Sequence, residues 1–340
     1  MKQITKLLFI STPLLFILLI TLGGCENSDQ KKIGFLYSSD VTIRFNKESQ
    51  FFKERAEELG AEVIVDHAND NAAVQYEKAI EMMENGIDFL TLIAVNVNTA
   101  ENIVKEAKAR DIPVMAYNRL ISNCDLDVYI SGDNEQLGKE MAGYALEKKP
   151  EGNYVILNGD RFDRNAVELM ASIDKTLKPH IESGDINVLY RTYIENWSPE
   201  HAGYEFEQFM DANPKPIDAV IACFDGMGVA TIEVLKEYGL AGDVIVTGQD
   251  ANLESCRKIV EGTQHITMYH PLEKIGHTAA EVAIDYLNGV DLEEKYDITY
   301  ANNGFKDVPT IQIPSIPVTK ENIDEVLIES GFYKRSQIYQ

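Results

Sequence analysis

The chain has 340 residues, 45% hydrophobic and 25% charged, with a formal net charge of −24 and a sequence pI near 4.6. That length exceeds one ordinary hydrophobic core and points to two lobes. So acidic a surface repels phosphate backbones and argues against nucleic acid as a partner, while it suits a soluble body holding a small neutral or cationic ligand.

The first stretch, "MKQITKLLFISTPLLFILLITLGGCENSDQ", is not read as part of the fold. Lys2 and Lys6 give it a basic start, and an apolar segment interrupted by Ser11, Thr12 and Pro13 is short for a spanning helix. "LGGC" resembles a bacterial lipobox, although Gly23 stands where Ala or Ser is more usual. Residues 1–24 are therefore read as a lipoprotein signal peptide, Cys25 as the lipidated mature N-terminus, and residues 25–31 as a flexible tether. This places the body outside the cytoplasm, anchored to the membrane. Cys124, Cys223 and Cys256 form no C-x-x-C pair; free buried thiols are expected, with one disulfide left open.

From Lys32 strands and helices alternate. "KIGFLY" reads as a strand, followed by a helix carrying Phe52, Ala56 and Leu59 on one face and stopped by Gly60. "EVIVDH" precedes a helix with Ala73, Tyr76, Ile80 and Met83, ended by Gly86. After "FLTLIAV", Asn98 and Glu101 suggest a cap for a helix bearing Ala100, Ile103, Val104 and Ala107. "PVMAY" and "VYIS" complete this series. A second series begins with a helix from Glu135, then "NYVILN", a long helix to Gly184, "INVLYR", a helix from Pro199, "AVIACF", a helix to Gly239, "VIVTG" and "HITMY". The pattern predicts an α/β protein: two doubly wound parallel-sheet lobes, each sheet covered on both faces, joined by short crossings of the kind a hinge needs.

Ligands of open parallel sheets bind beyond the carboxyl ends of the strands. The residues found there are Ser38 and Ser39, Asn96, Asn118 and Arg119, Asp163 and Asn165, Trp197, Phe224 and Asp225, Asp250, and His270. Planar hydrogen-bonding groups match the paired hydroxyls of a sugar, and aromatic rings match the C–H face of its ring. Singly, such residues are more often caps or solvated turns.

Rival chemistries have weaker support. "FDGMGVAT" imitates a dinucleotide fingerprint through Gly226 and Gly228, but Thr231 occupies the third glycine's place and the motif falls in the second series. Asp160 and Asp163 could be a glycosidase carboxylate pair, with an acidic helix start as the plainer reading. There is no G-x-S-x-G elbow, phosphate loop or H-E-x-x-H motif. His265 and His270, five residues apart on a strand, point to opposite faces. Neither catalysis, a metal nor a cofactor is expected.

Several stretches then point to one family: "RFNKESQFFKERAEELGA", "VKEAKARDIPVMAYNR", "YISGDNEQLG", "GNYVILNGDRFDRNA", "LKPHIESG", "ENWSPE", "TGQDANLESCRKIVEGTQ", "TMYHP", "HTAAEVA" and "NNGFKDVP". From about Lys32 onward the chain resembles the periplasmic D-xylose-binding proteins of bacterial sugar ABC transporters, within the ribose/galactose-binding group. The resemblance implies the periplasmic binding protein type 1 fold, a monosaccharide held between two closing lobes, and a monomer that delivers it to an ABC permease. A membrane histidine kinase is the alternative outlet, and a sugar-active or NAD-dependent enzyme the remote one. It implies an N-terminal lobe of residues 32–133 plus about 271–301, a C-terminal lobe of 134–270 plus about 302–340, and crossings near Gly132–Asn134, Tyr269–Pro271 and Ala301–Gly304.

By position, Arg44 and Phe45 would be the arginine and aromatic of the first loop and Arg119 the hinge-side arginine. Asp163 and Asn165 would form the acid–amide pair, Trp197 the stacking indole and Asp250 the acid of "GQD". Three positions depart: Asn118 stands where the family has aspartate, Phe224 where it has asparagine and His270 where it has lysine; Phe45, where tryptophan is expected, is a mild change. Xylose is the first expected ligand. Phe224 opens the alternatives of a deoxy-sugar, a larger ring or a modified ligand, because a site built around one hydroxyl penalises its loss.

Overall fold

Apolar runs of four to six residues, buried on both faces, form the centre of the first sheet, as parallel strands covered by helices must. The computed structural model describes residues 30–39, 43–213 and 215–339. The expected signal peptide over 1–24, the expected lipidation at Cys25 and all but the end of the expected tether fall outside them. The chain runs β1 (Lys32–Tyr37), α1 (Ile43–Glu58), β2 (Glu62–His67), α2 (Ala72–Glu84), β3 (Phe89–Leu92), α3 (Glu101–Lys108), β4 (Val114–Tyr117) and β5 (Val128–Gly132). Then follow α4 (Asn134–Lys148), β6 (Gly152–Asn158), α5 (Arg164–Ser183), β7 (Ile186–Tyr193), α6 (Pro199–Ala212), β8 (Ala219–Ala222), α7 (Asp225–Glu237), β9 (Ile245–Val246), α8 (Leu253–Glu261) and β10 (Thr267–Tyr269). The last part holds α9 (Leu272–Leu287), α10 (Leu292–Lys295), β11 (Ile298–Asn302), β12 (Asp307–Ile313), β13 (Ile316–Val318), a π-helical stretch over Asp324–Glu329 and α11 (Arg335–Ile338).

The first sheet has the order β11-β12-β5-β4-β3-β1-β2 and the second β7-β6-β8-β9. All pairings are parallel except that of β11 with β12. Separate apolar clusters fill the two faces of the first sheet, around Phe35 and Phe52 on one side and Leu36 and Leu90 on the other. Another cluster, around Tyr154 and Phe206, fills the second half. Helix α9 returns to the first half and lies against α1. A Cβ on Gly276 would stand 2.9 Å from the Glu48 carbonyl oxygen, so only glycine permits that approach.

The strand pairing corrects the expected boundary at residue 302. β12 pairs in parallel with β5, and the tight β11–β12 hairpin keeps residues 307–313 on the first sheet. The last passage between halves therefore lies after Ile313, not near Ala301–Gly304. "HITMY" runs parallel beside the segment after β9, with Met268 N donating to Gly248 O at 3.0 Å and Asp250 N to Met268 O at 2.9 Å, and β10 also pairs antiparallel with β13 over a small third core around Tyr269, Val318 and Leu327. The segments at 132–136, 270 and 313–315 are bonded to one another. Asp133 N donates to Ile313 O at 3.2 Å, the Gln136 side chain bonds both Ser315 backbone groups, and Ser315 Oγ lies 3.0 Å from His270 Nδ1.

Two local expectations also change. Helix α3 is not capped by Asn98; Asn96 instead accepts from the Asn98 and Thr99 amides in a turn before it. Helix α2 buries Met83 as expected, but beside Gln75, Ala79 and Met82, while Ala73 and Tyr76 stay exposed. Gln75 goes inside because its amide bonds Ile93 O and Val95 N, satisfying a polar group that periodicity places outside. Cys124, Cys223 and Cys256 are buried and free.

Candidate functional site

The carboxyl ends of both parallel sheets open onto one cavity of about 700 Å³. Arg44, Phe45, Asn118, Arg119, Asp163, Asn165, Trp197, Phe224, Asp250 and His270, the ten residues singled out from the sequence, all line it. Ser38, Ser39, Asn96 and Asp225 do not. Asp225 is fully buried and holds the neighbouring loop, accepting from Asn252 N at 2.7 Å and Gln264 Nε2 at 3.0 Å. Burial pushes its carboxyl up to about 7, against the hydrogen bonds it accepts.

Arg44, in the first turn of α1, is the most heavily partnered cation of the site. Its Nε donates to Glu48 Oε1 at 2.8 Å, Nη2 lies 3.4 Å from Asn118 Oδ1, and Nη1 lies 3.6 Å from Asp250 Oδ1. Burial works against its charge, but Glu48 and Asp250 outweigh burial and the guanidinium stays ionised. Glu48, one turn along and completely buried, is a supporting residue that strand-end reasoning does not reach. Arg119 is held differently. Its Nη1 donates to Ala94 O at 3.0 Å, and its guanidinium carbon lies 5.8 Å from the Phe45 ring centroid. No ion pair to Arg119 occurs among the described residues.

Backbone geometry aims the loops. Asn118 (φ 61), Trp197 (φ 54), Asp250 (φ 90) and Ala251 (φ 51) all occupy positive φ. Asn tolerates this region, whereas a bulky indole there is the kind of strain found at ligand clamps. Trp197 lies over Gly159, where an added Cβ would meet the indole at 2.2 Å, and its Nε1 donates to Asp163 Oδ2 at 3.2 Å. Asp163 also caps α5 by accepting from Asn165 N, and Asp160 accepts from Phe162 N and Asn196 N; both acids serve backbone at a helix start. Asn165 bridges the halves: Nδ2 donates to Asn118 O at 3.3 Å, while Oδ1 accepts from Asn134 Nδ2 at 3.0 Å. Phe224 precedes α7 without capping it, so this wall is apolar, continued by Leu169.

His270 is 5% exposed, with Nε2 3.4 Å from Asp250 Oδ1 and Nδ1 at Ser315 Oγ. Burial, then Arg44, holds its pKa well below the usual histidine range, so the ring is neutral. Burial raises the Asp250 carboxyl and Arg44 opposes it.

The arrangement offers several fixed donors and acceptors and aromatic faces from both halves. Among the described residues no group of His, Cys, Asp and Glu is placed to hold a metal ion, and no helix is long and apolar enough to cross a membrane. The cavity also includes Lys47, Asn134, Gln249, Leu253, Phe332, Tyr333 and Gln337, which the sequence did not mark. Asn134 directly follows the first passage between the halves and had a positional signal; the C-terminal residues, remote in sequence, had none.

A periplasmic binding protein domain model matches residues 33–291. The D-xylose-binding periplasmic protein of Escherichia coli (strain K12) is 39% identical over 320 residues, covering 94% of this chain and 96% of that protein. Its namesake in Haemophilus influenzae is 36% identical over 321 residues, covering 94% and 96%. Among solved structures, an ABC transporter solute binding protein from Clostridium phytofermentans with bound β-D-glucose superposes with a TM-score of 0.79 at 23% identity, covering 91% of this chain and 100% of that one.

Proposed function

We propose, on the premise that this chain belongs to the periplasmic binding protein family, that it is an extracytoplasmic receptor for a monosaccharide rather than an enzyme. The observation that carries the reading is the cavity between the two halves, where Arg44, Asn118 and Arg119 from one side face Asp163, Asn165 and Asp250 from the other. Paired planar groups bind vicinal hydroxyls, and Phe45 and Trp197 offer ring faces for the C–H side of a sugar. A ligand that touches both halves at once favours the closed arrangement, and a membrane partner reads that closure. The partner proposed is an ABC sugar permease, with a sensor kinase as the alternative outlet, and the lipidated Cys25 would keep the receptor at the membrane.

Xylose is the first candidate, in keeping with the names of the relatives. Three features argue for testing other sugars beside it: a neutral Asn118, a neutral His270 and an apolar Phe224 all face the cavity. Each changes which hydroxyl finds a partner. Trp197 is the chain's single tryptophan and lines the cavity, so intrinsic fluorescence reports on the site directly. A saturable change in its emission with one pentose or hexose supports the reading; an emission unchanged by every sugar would oppose it.

A further inference from the structure

Four side chains form one run of hydrogen bonds leading out of the sugar cavity. Asn134 opens α4 directly after the first passage between the halves and is 8% exposed. Its Nδ2 donates to Asn165 Oδ1 at 3.0 Å and to Glu168 Oε2 at 2.9 Å. Glu168 stands one turn along α5 from Arg164. Arg164 Nε donates to Glu168 Oε1, and Arg164 Nη1 donates across the halves to Asn302 O at 2.8 Å. Asn134 and Asn165 line the sugar cavity, whereas Arg164 and Glu168 line a separate groove.

The chemistry of these groups gives the run a direction. A carboxylate only accepts, so Asn134 must turn its NH2 group toward Glu168, and its second N–H then meets Asn165. Asn165 must therefore face Asn134 with its oxygen. One of its Nδ2 hydrogens goes to Asn118 O at 3.3 Å, and the other is left for a ligand. With an amide in place of the carboxylate at 168, both asparagines could reverse, and Asn165 would offer an oxygen where it now offers an N–H. Arg164 occupies Oε1 and so keeps Oε2 on Asn134. We infer that Glu168, outside the cavity, is a positioning residue for sugar binding: through Asn134 it fixes Asn165 as a hydrogen-bond donor to a sugar oxygen. This deepens the receptor reading above and rests on it.

Glu168→Gln keeps the size of the side chain and removes the direction, because an amide both donates and accepts. Full-length natural and variant chains are titrated with a pentose and hexose panel led by D-xylose, read from Trp197 emission. For the sugar that binds, Glu168→Gln is expected to weaken affinity about tenfold, the scale of one misplaced hydrogen bond. The Glu168 side chain is 35% exposed and its ion pair with Arg164 is an i,i+4 surface pair, so the urea midpoint should stay nearly unchanged. Asn134→Ala should weaken binding too, and in that background Glu168→Gln should cost nothing further, because the link is already cut. Natural affinity in Glu168→Gln would overturn the inference and leave the receptor reading standing. Additive losses in the double variant, or a loss of affinity matched by a lower urea midpoint, would overturn it too. No binding of any sugar by the natural chain would overturn both.

Discussion

Arg44 and Arg119 face the same cavity in different company, and their removal should differ accordingly. Arg119→Ala takes away a guanidinium with no ion pair among the described residues, so ligand binding should fall by about two orders of magnitude with the unfolding midpoint nearly unchanged. Arg44→Ala leaves the buried Glu48 and the nearby Asp250 without their cation and should also destabilise the fold by roughly 3–5 kcal/mol. Urea unfolding beside calorimetry separates the two outcomes; equal destabilisation by both variants would contradict the assignment. Phe224→Asn replaces the apolar wall by an amide and should shift preference toward a sugar with one more hydroxyl, seen as a changed rank order across a monosaccharide panel.

At the scale of elements, the loop after β9 depends on the buried Asp225. Its folded carboxyl titrates at about 7 against ~3.9 in the unfolded chain, so the fold holds a proton that the unfolded chain has released. Stability from this group is complete below about pH 4 and is lost as pH rises through about 7. The gain in stability of Asp225→Asn over the natural chain should therefore grow between pH 4 and pH 8; a difference independent of pH would mean that Asp225 is not the titrating group. The α1–α9 contact makes a separate point. Gly276→Ala forces a methyl against backbone atoms of α1 at 2.9–3.0 Å and should lower stability by about 1–3 kcal/mol, read from urea midpoints.

Across the whole molecule, the alternation of strands and helices was legible because parallel strands buried on both faces read as short apolar runs. The rule that ligands lie beyond strand ends, joined to the family resemblance, brought ten residues to one cavity. What escaped were long-range pairings. β12 resembles any short apolar strand, and only its hydrogen bonds to β5 place it in the first sheet. Gln75 is a polar helix residue whose burial depends on Ile93 and Val95 in the segment after β3. The Lys47–Phe332 contact joins the start of the chain to its end, beyond any local pattern.

As a receptor, this molecule is expected to hold a sugar between its halves and release it unchanged. Isothermal titration of the full chain with a pentose and hexose panel, with each mixture analysed for product, addresses it most directly. Saturable binding of at least one sugar at one site per chain, with no conversion, is the expected result. Conversion of a glycoside with no stoichiometric binding of any sugar would contradict it.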